Sequence, residues 1–114
     1  MIEYLEKTFH ANCNADALIW QDTAYSYAWL LEQIAQWKNT LAQNAVPRGA
    51  VTVIEADFSP HSVALFLALL EHACVLVPLT SSVAAKRNEF IEIGQGEIAF
   101  RFDEGDRARL ERLP

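Results

Sequence analysis

The chain has 114 residues, 52% of them hydrophobic and 21% charged. That balance excludes a disordered tail and leaves room for one domain with one modest core. Nine Lys+Arg against fifteen Asp+Glu leave a net charge of −6, and residues 50–85 hold no Lys or Arg, only Glu55, Asp57 and Glu71; nucleic-acid and anionic-membrane binding need clustered cations, so neither is expected.

The N-terminus (Met-Ile-Glu-Tyr-Leu-Glu-Lys) lacks the basic start of a secretory signal. Cys13 and Cys74 stand far apart, without a CxxC or a His at ligand spacing. Neither a disulfide framework nor a zinc site is expected, and a reducing, cytoplasmic compartment fits. Residues 17–27 read as a hairpin: Ala17-Leu18-Ile19-Trp20, a polar turn at Gln21-Asp22-Thr23, then Ala24-Tyr25-Ser26-Tyr27. Ser26 is placed to cap a helix. From Tyr27 the apolar positions Leu30, Leu31, Ile34, Trp37 and Leu41 recur at threes and fours, which predicts an amphipathic helix ending near Asn44. Trp29 lies about opposite that stripe and reads as local packing at the helix start.

After the Pro47-Arg48-Gly49 break, residues 50–54 read as a strand. Ser59-Pro60 supplies an N-cap hydroxyl and a proline at the first helical position, so a helix is predicted to about His72. Residues 74–79 form a second apolar strand, and Thr80-Ser81-Ser82 offers caps for a further helix to about Ile93. Gly94-Gln95-Gly96 is a turn. Residues 97–102 alternate Ile98, Phe100 and Phe102 with Glu97, Ala99 and Arg101, the pattern of a strand with one wet face at a sheet edge. Residues 103–114, with four acids and three bases, are expected to fray or be helical. The fold class is α/β: a hairpin and an amphipathic helix, then a β-α-β-α-β unit with right-handed parallel crossovers. A single unit of residues 1–114 is expected, with its core in 15–102 and a polar tail in 103–114.

Residues 63–70 are apolar all round their predicted helix, with no face left for water. This run is too short for a membrane span, which takes about 20 residues. Leaving three of its large side chains exposed would forgo roughly 5–9 kcal/mol, as much as a small domain's whole stability. A cover is therefore expected over residues 60–72, from the N-terminal helix, from a second copy, or from protein outside this sequence.

The residues offer little chemistry. GxGxxG, GxxxxGK[ST] and GxSxG patterns are missing, and with them phosphate cradles and nucleophile elbows. His10, His61 and His72 have no carboxylate or cysteine at a recognisable spacing; His72 near a helix C-terminus reads as structural. Glu55 and Asp57 stand at the carboxyl end of the first parallel strand, where α/β proteins place function. A receiver-like phospho-switch there would need an Asp and a Lys after later strands, whereas the chain offers Leu79-Thr80, Asp103 and Lys86. A solvated loop capping the helix is the simpler expectation. Cys74 begins a buried strand and reads as inert core.

Four segments in order, Ala17-Leu18-Ile19, Tyr25-Ser26-Tyr27-Ala28-Trp29-Leu30, Val46-Pro47-Arg48-Gly49-Ala50-Val51-Thr52-Val53 and residues 68–79 ending Val77-Pro78-Leu79, resemble the start of the adenylate-forming (AMP-binding) superfamily. That superfamily includes acyl-CoA synthetases and the adenylation domains of non-ribosomal peptide synthetases. The resemblance covers about residues 15–100, with departures at three scaffold positions: Trp29 for the usual Glu, Ala50 for Asp, and His72-Ala73 for Ala-Gly. It implies the N-terminal scaffold portion of an acyl-CoA synthetase-like, AMP-forming acid–thiol ligase, which makes an acyl-adenylate and passes it to a thiol. It also implies ATP, Mg and coenzyme A for the parent enzyme, bound outside this segment. The family's phosphate loop, Mg-binding Glu, ribose-binding Asp and C-terminal Lys have no counterpart here, so no catalytic, cofactor-binding or metal residue is assigned. The other reading is a self-standing α/β interaction module that dimerises through its apolar helix.

Overall fold

Helices and strands alternate in a computed structural model that describes residues 2–80, 86–94 and 96–113. Helix α1 (Ile2–Ala11) leads into a hairpin of β1 (Asp16–Trp20) and β2 (Thr23–Ser26), followed by α2 (Tyr27–Gln43). Then come β3 (Val51–Glu55), α3 (Pro60–Glu71), β4 (Val75–Leu79), α4 (Arg87–Gly94), β5 (Ile98–Phe102) and β6 (Ala108–Arg112). The hairpin turns on two residues, Gln21 and Asp22, both at positive φ, the handedness that matches strand twist. The third predicted helix is present as α4, but its proposed caps at Ser81 and Ser82 lie outside the described residues, and α1 is not among the predicted helices.

Local chemistry sets the helix starts. Ser26 Oγ accepts from the Trp29 amide at 3.1 Å and opens α2. Ser59 and Ser62 satisfy each other reciprocally at the start of α3, with Pro60 in its first turn. The ends are less orthodox. After α3, the Ala73 amide donates to Leu70 O at 3.1 Å and the Cys74 amide to Leu69 O at 3.1 Å. After α2, Ala45 donates to Ala42 O at 3.1 Å and Val46 to Leu41 O at 3.0 Å. Both are Schellman closures, which put one residue in the left-handed region and favour glycine there. Here alanine fills both places, with φ 53° at Ala45 and 58° at Ala73. His72, the C-cap of α3, places Nε2 2.6 Å from Val46 O and so ties the two helix ends together.

The main sheet has the order β4-β3-β5-β6. β3 is parallel to both β4 and β5, as the β-α-β-α-β pattern predicts. On one face, Leu30, Ile34 and Leu41 of α2 and Ala64, Leu65, Ala68 and Leu69 of α3 bury Ile54, Ile98 and Phe100. Trp37 meets Phe100 edge-on at 5.9 Å. On the other face Val53, Leu79 and Ala99 pack with Ile91 and Leu113. Gly96 lies so close to this layer that an added Cβ would stand 2.8 Å from Val53 Cγ2.

Two expectations for the C-terminal part are corrected. β5 is interior, not an edge with a wet face: Ile98, Ala99 and Phe100 are all buried. Residues 103–113, expected to fray or be helical, turn back so that β6 pairs antiparallel with β5, from Ile98 opposite Arg112 to Phe102 opposite Ala108. The turn holds because Asp103 Oδ1 accepts from the Arg107 amide at 3.0 Å. Asp106, at φ 62°, sends Oδ2 to the His61 amide at 2.9 Å, at the N-terminus of α3. That carboxylate at a helix start satisfies an orphan donor and complements the dipole.

The apolar helix is divided. One side of α3 is fully buried, whereas Phe66 and Leu70 on the other are 38% and 37% exposed. α1 contributes cover elsewhere, resting mainly on α2, with Phe9 against Tyr27 at 5.0 Å. Trp29 packs on Tyr25 of the hairpin, 4.6 Å away, and also across to His61 of α3, 5.3 Å away, so its packing is not only local.

Candidate functional site

In a parallel sheet every carbonyl end of a strand faces the same way, and the crevice beyond those ends is the usual place for a ligand. β3 ends there at Glu55 and β4 at Leu79, and Arg101 of β5 stands in register with Glu55. A small crevice of about 160 Å³ opens among Glu55, Asp57, Thr80, Arg87, Arg101 and Phe102.

Its charges are largely paired with one another, although Glu55 Oε2 is buried with no hydrogen-bond partner among the described residues and the Arg101 side chain is 57% exposed. Glu55 Oε1 accepts from Arg87 Nε and from Arg101 Nη2 at 3.4 Å. Arg87 turns its Nη2 to Glu111 Oε2 at 3.0 Å and its Nη1 to Asn88 Oδ1 at 3.2 Å. The Glu55 and Arg87 side chains are only 13% and 18% exposed. The Glu55 carboxylate holds the Arg87 guanidinium above its ordinary value, against the opposing effect of burial. Glu55 is therefore not the solvated loop acid expected from sequence. It ties β3 to α4 and β5, and through Arg87 to β6. The partners lie 32 and 46 positions away along the chain, beyond the reach of any local pattern. Asp57, two residues on, is exposed, and its carbonyl accepts from Ser62 Oγ at 3.2 Å beside the α3 cap.

This arrangement is poorly suited to a triphosphate. Both arginines are engaged by carboxylates, and the larger hollow next to it is lined by Asp57, Asp103 and Glu104 as well as Trp20 and Phe102. Anion binding requires uncommitted donors or cations. Among the described residues no group of three or more His, Cys, Asp or Glu is arranged to hold a metal ion. Cys74 precedes β4, at the opposite end of that strand from the crevice. Burial pushes its thiol up from the ordinary value, the reverse of what a nucleophile needs. His72 is bonded to a backbone carbonyl, and His61 meets Trp29 through its ring and Asp106 through its amide. No helix among the described residues is long and apolar enough to cross a membrane.

No family model and no curated protein matches the sequence. Solved structures do. The N-terminal subdomain of Klebsiella oxytoca NpsA, in complex with 3-hydroxybenzoyl-AMSN, superposes with a TM-score of 0.83 at 20% identity, over 93% of this chain and 27% of that one. NpsA-ThdA, an artificially fused adenylation-PCP di-domain NRPS from the same organism, gives a TM-score of 0.81 at 20% identity, over 92% of this chain and 20% of that one. VinN in complex with L-aspartate gives 0.82 at 21% identity, over 93% of this chain and 30% of that one. The chain thus spans under a third of the length of these solved neighbours. Its α/β architecture is the fold of one part of the adenylation domains and related adenylate-forming enzymes.

Proposed function

We propose that this chain is the N-terminal scaffold portion of an ATP-dependent adenylate-forming ligase. The parent enzyme would join a carboxylic acid to ATP as an acyl-adenylate, releasing pyrophosphate, and pass the acyl group to a thiol such as coenzyme A. ATP, Mg and coenzyme A would be bound outside this segment, and the remainder of the parent chain would be its partner. The observation that carries the reading is a superposition over more than nine-tenths of this chain on less than a third of adenylation-domain structures. The internally neutralised crevice agrees with it: a segment that builds walls needs no free cation or nucleophile. A cytoplasmic location belongs to the same proposal.

The test is pyrophosphate exchange into ATP, run over a panel of aryl, amino and fatty acids with the full polypeptide that contains this segment. Acid-dependent exchange is the expected result, with no Mg-ATP binding by residues 1–114 alone in calorimetry. Tight Mg-ATP binding by the 114-residue chain would overturn the scaffold assignment, and no exchange with any acid would overturn the ligase. A self-standing module that dimerises through residues 60–72 is the second reading, favoured by the partial exposure of Phe66 and Leu70. A stable dimer of the isolated chain in sedimentation would support it.

A further inference from the structure

The turn that joins β5 to β6 separates two surfaces of opposite charge. Residues directly opposite in an antiparallel pair share one face of the sheet. Arg101 and Arg109 are such partners, so they stand side by side on the face that carries Glu55. Like charges in that relation repel and cost stability. Little within the chain offsets the cost. Glu55 Oε1 is shared between Arg87 and Arg101 and lies 3.4 Å from Arg101 Nη2. Arg109 is exposed, and its side chain has no ion pair or hydrogen bond among the described residues. In a chain of net charge −6, two adjacent arginines holding only a share of one carboxylate call for an anionic partner.

Across the turn the charge reverses. Phe102 follows Arg101 and so faces the opposite side of the sheet, where a hollow of about 770 Å³ opens. Asp57, Asp103 and Glu104 line it together with Trp20, Phe58 and Phe102, and its lining holds no Lys or Arg. Carboxylates beside aromatic rings suit a guanidinium, which pairs with the first and stacks on the second. Within one chain the β5–β6 ribbon lies between the arginines and this hollow.

A two-fold axis removes that obstacle, because a patch that meets a second patch on the partner is itself met in return. We infer that two copies of this chain associate through their β5–β6 turns, with Arg101 and Arg109 of each copy seated against Asp103 and Glu104 at the hollow of the other. The contact runs through side chains, since the exposed charges of β6 keep a pairing strand away. It is weak, because the net charge of each copy opposes approach at long range. The inference draws on neither the ligase reading nor the apolar helix.

Sedimentation equilibrium tests it with two charge reversals, R109E and E104K, at side chains that hold no internal bond among the described residues. The unmodified chain should dimerise in about 10 mM salt, where charges act over about 30 Å, and dissociate in about 1 M, where they act over about 3 Å. Either variant alone should weaken the dimer at least about tenfold, since it sets like charges together at both contacts. An equimolar mixture of the two should recover the affinity to within about threefold, because every contact in the mixed dimer joins opposite charges again. R109E should not lower the Tm, as it removes a repulsion.

A chain that stays monomeric at millimolar concentration would overturn the inference, and so would a mixture that does not recover. A dimer that survives about 1 M salt and yields to F66E/L70E but not to R109E would overturn it too. That result would give association to the exposed stripe of α3 and the apolar groove beside it. A monomer whose Arg101 and Arg109 resonances move with inorganic phosphate would assign the arginines to a small anion and overturn it as well. Pyrophosphate exchange by the full polypeptide is unaffected by any of these outcomes, so the ligase reading stands or falls separately.

Discussion

The two edges of the sheet are built to different standards. At the β6 edge, Arg109, Glu111 and Arg112 are exposed and only Leu110 is half-buried. Charged side chains on an edge keep other strands away. Arg112 also donates through Nη2 to Asn44 O at the end of α2. That side is finished against water. At the β4 edge the boundary is a proline and an apolar groove, and the neighbouring helix leaves Phe66 and Leu70 partly in solvent. One edge carries charged side chains on exposed positions; the other ends in a proline beside an apolar groove. Asp57 and Ser62 also line that groove.

This contrast can be broken most sharply at adjacent residues of α3. Leu65→Ala, at a fully buried position, should cost about 2–5 kcal/mol in urea denaturation of the 114-residue chain. Phe66→Ala should cost far less there. Equal losses would mean that the stripe is already covered and the two edges are alike. Next in size is the tie on the finished side: Glu55→Ala leaves Arg87 with Glu111 and Asn88 alone and should cost about 1–3 kcal/mol, since a mostly buried guanidinium loses its main acceptor. If Glu55→Ala matches wild type in the same assay, the cluster contributes nothing to holding α4 on the sheet.

Ala73→Gly should stabilise, by about 1 kcal/mol, because it relieves a left-handed alanine at the turn that feeds β4. A loss of stability would show that the methyl group's packing outweighs the backbone strain. The smallest effect concerns α1. Hydrogen bonding to Glu71, followed by desolvation, raises the Glu6 carboxyl above its ordinary 4.5. Burial pushes Glu71 up, but hydrogen bonds from Glu6 and from Lys38 outweigh it and hold Glu71 low; Lys38 Nζ lies 2.7 Å from its Oε1. The two directions would put a shared proton on Glu6, against the buried Glu71 Oε2, which has no hydrogen-bond partner of its own among the described residues. A raised carboxyl contributes stability that is complete below the ordinary value and is lost as pH rises through the raised one, whereas the Glu71 contribution is lost as pH falls. Glu6→Gln keeps a permanent donor, so its Tm relative to wild type should climb between about pH 4 and pH 7. A pH-independent difference would show that α1 is not docked through this pair.

Much of this was legible in the residues. Ser26 and Ser59-Pro60 announce helix starts through bonds made within three residues, and the Leu30–Ile34–Leu41 stripe needs only helical phase. The apolar run 63–70 advertised missing cover, although it did not say that one side would be well buried and one stripe left open. The candidate site was less readable. Glu55 pairs with arginines far along the chain, and its polar type alone suggested solvent. β6 was hidden because its composition is that of a loop: an edge strand facing water carries charges on both sides of the alternation, which removes the hydrophobic signal. The Asp103-Glu104-Gly105-Asp106 turn was the clue available.

Sequence alone determined the order of elements from β1 to β5, the caps of α2 and α3 and the parallel β-α-β-α-β core, because those follow from short-range hydrogen bonding and periodic burial; α1 and β6 were not among them. Only the tertiary structure decided that residues 108–112 close the sheet, that Glu55 is neutralised by Arg87 and Arg101, and that the open apolar surface lies at the β4 edge. Each of these depends on contacts between residues distant in the chain, whose pairing is set by the packing of whole elements and leaves no mark in any local stretch.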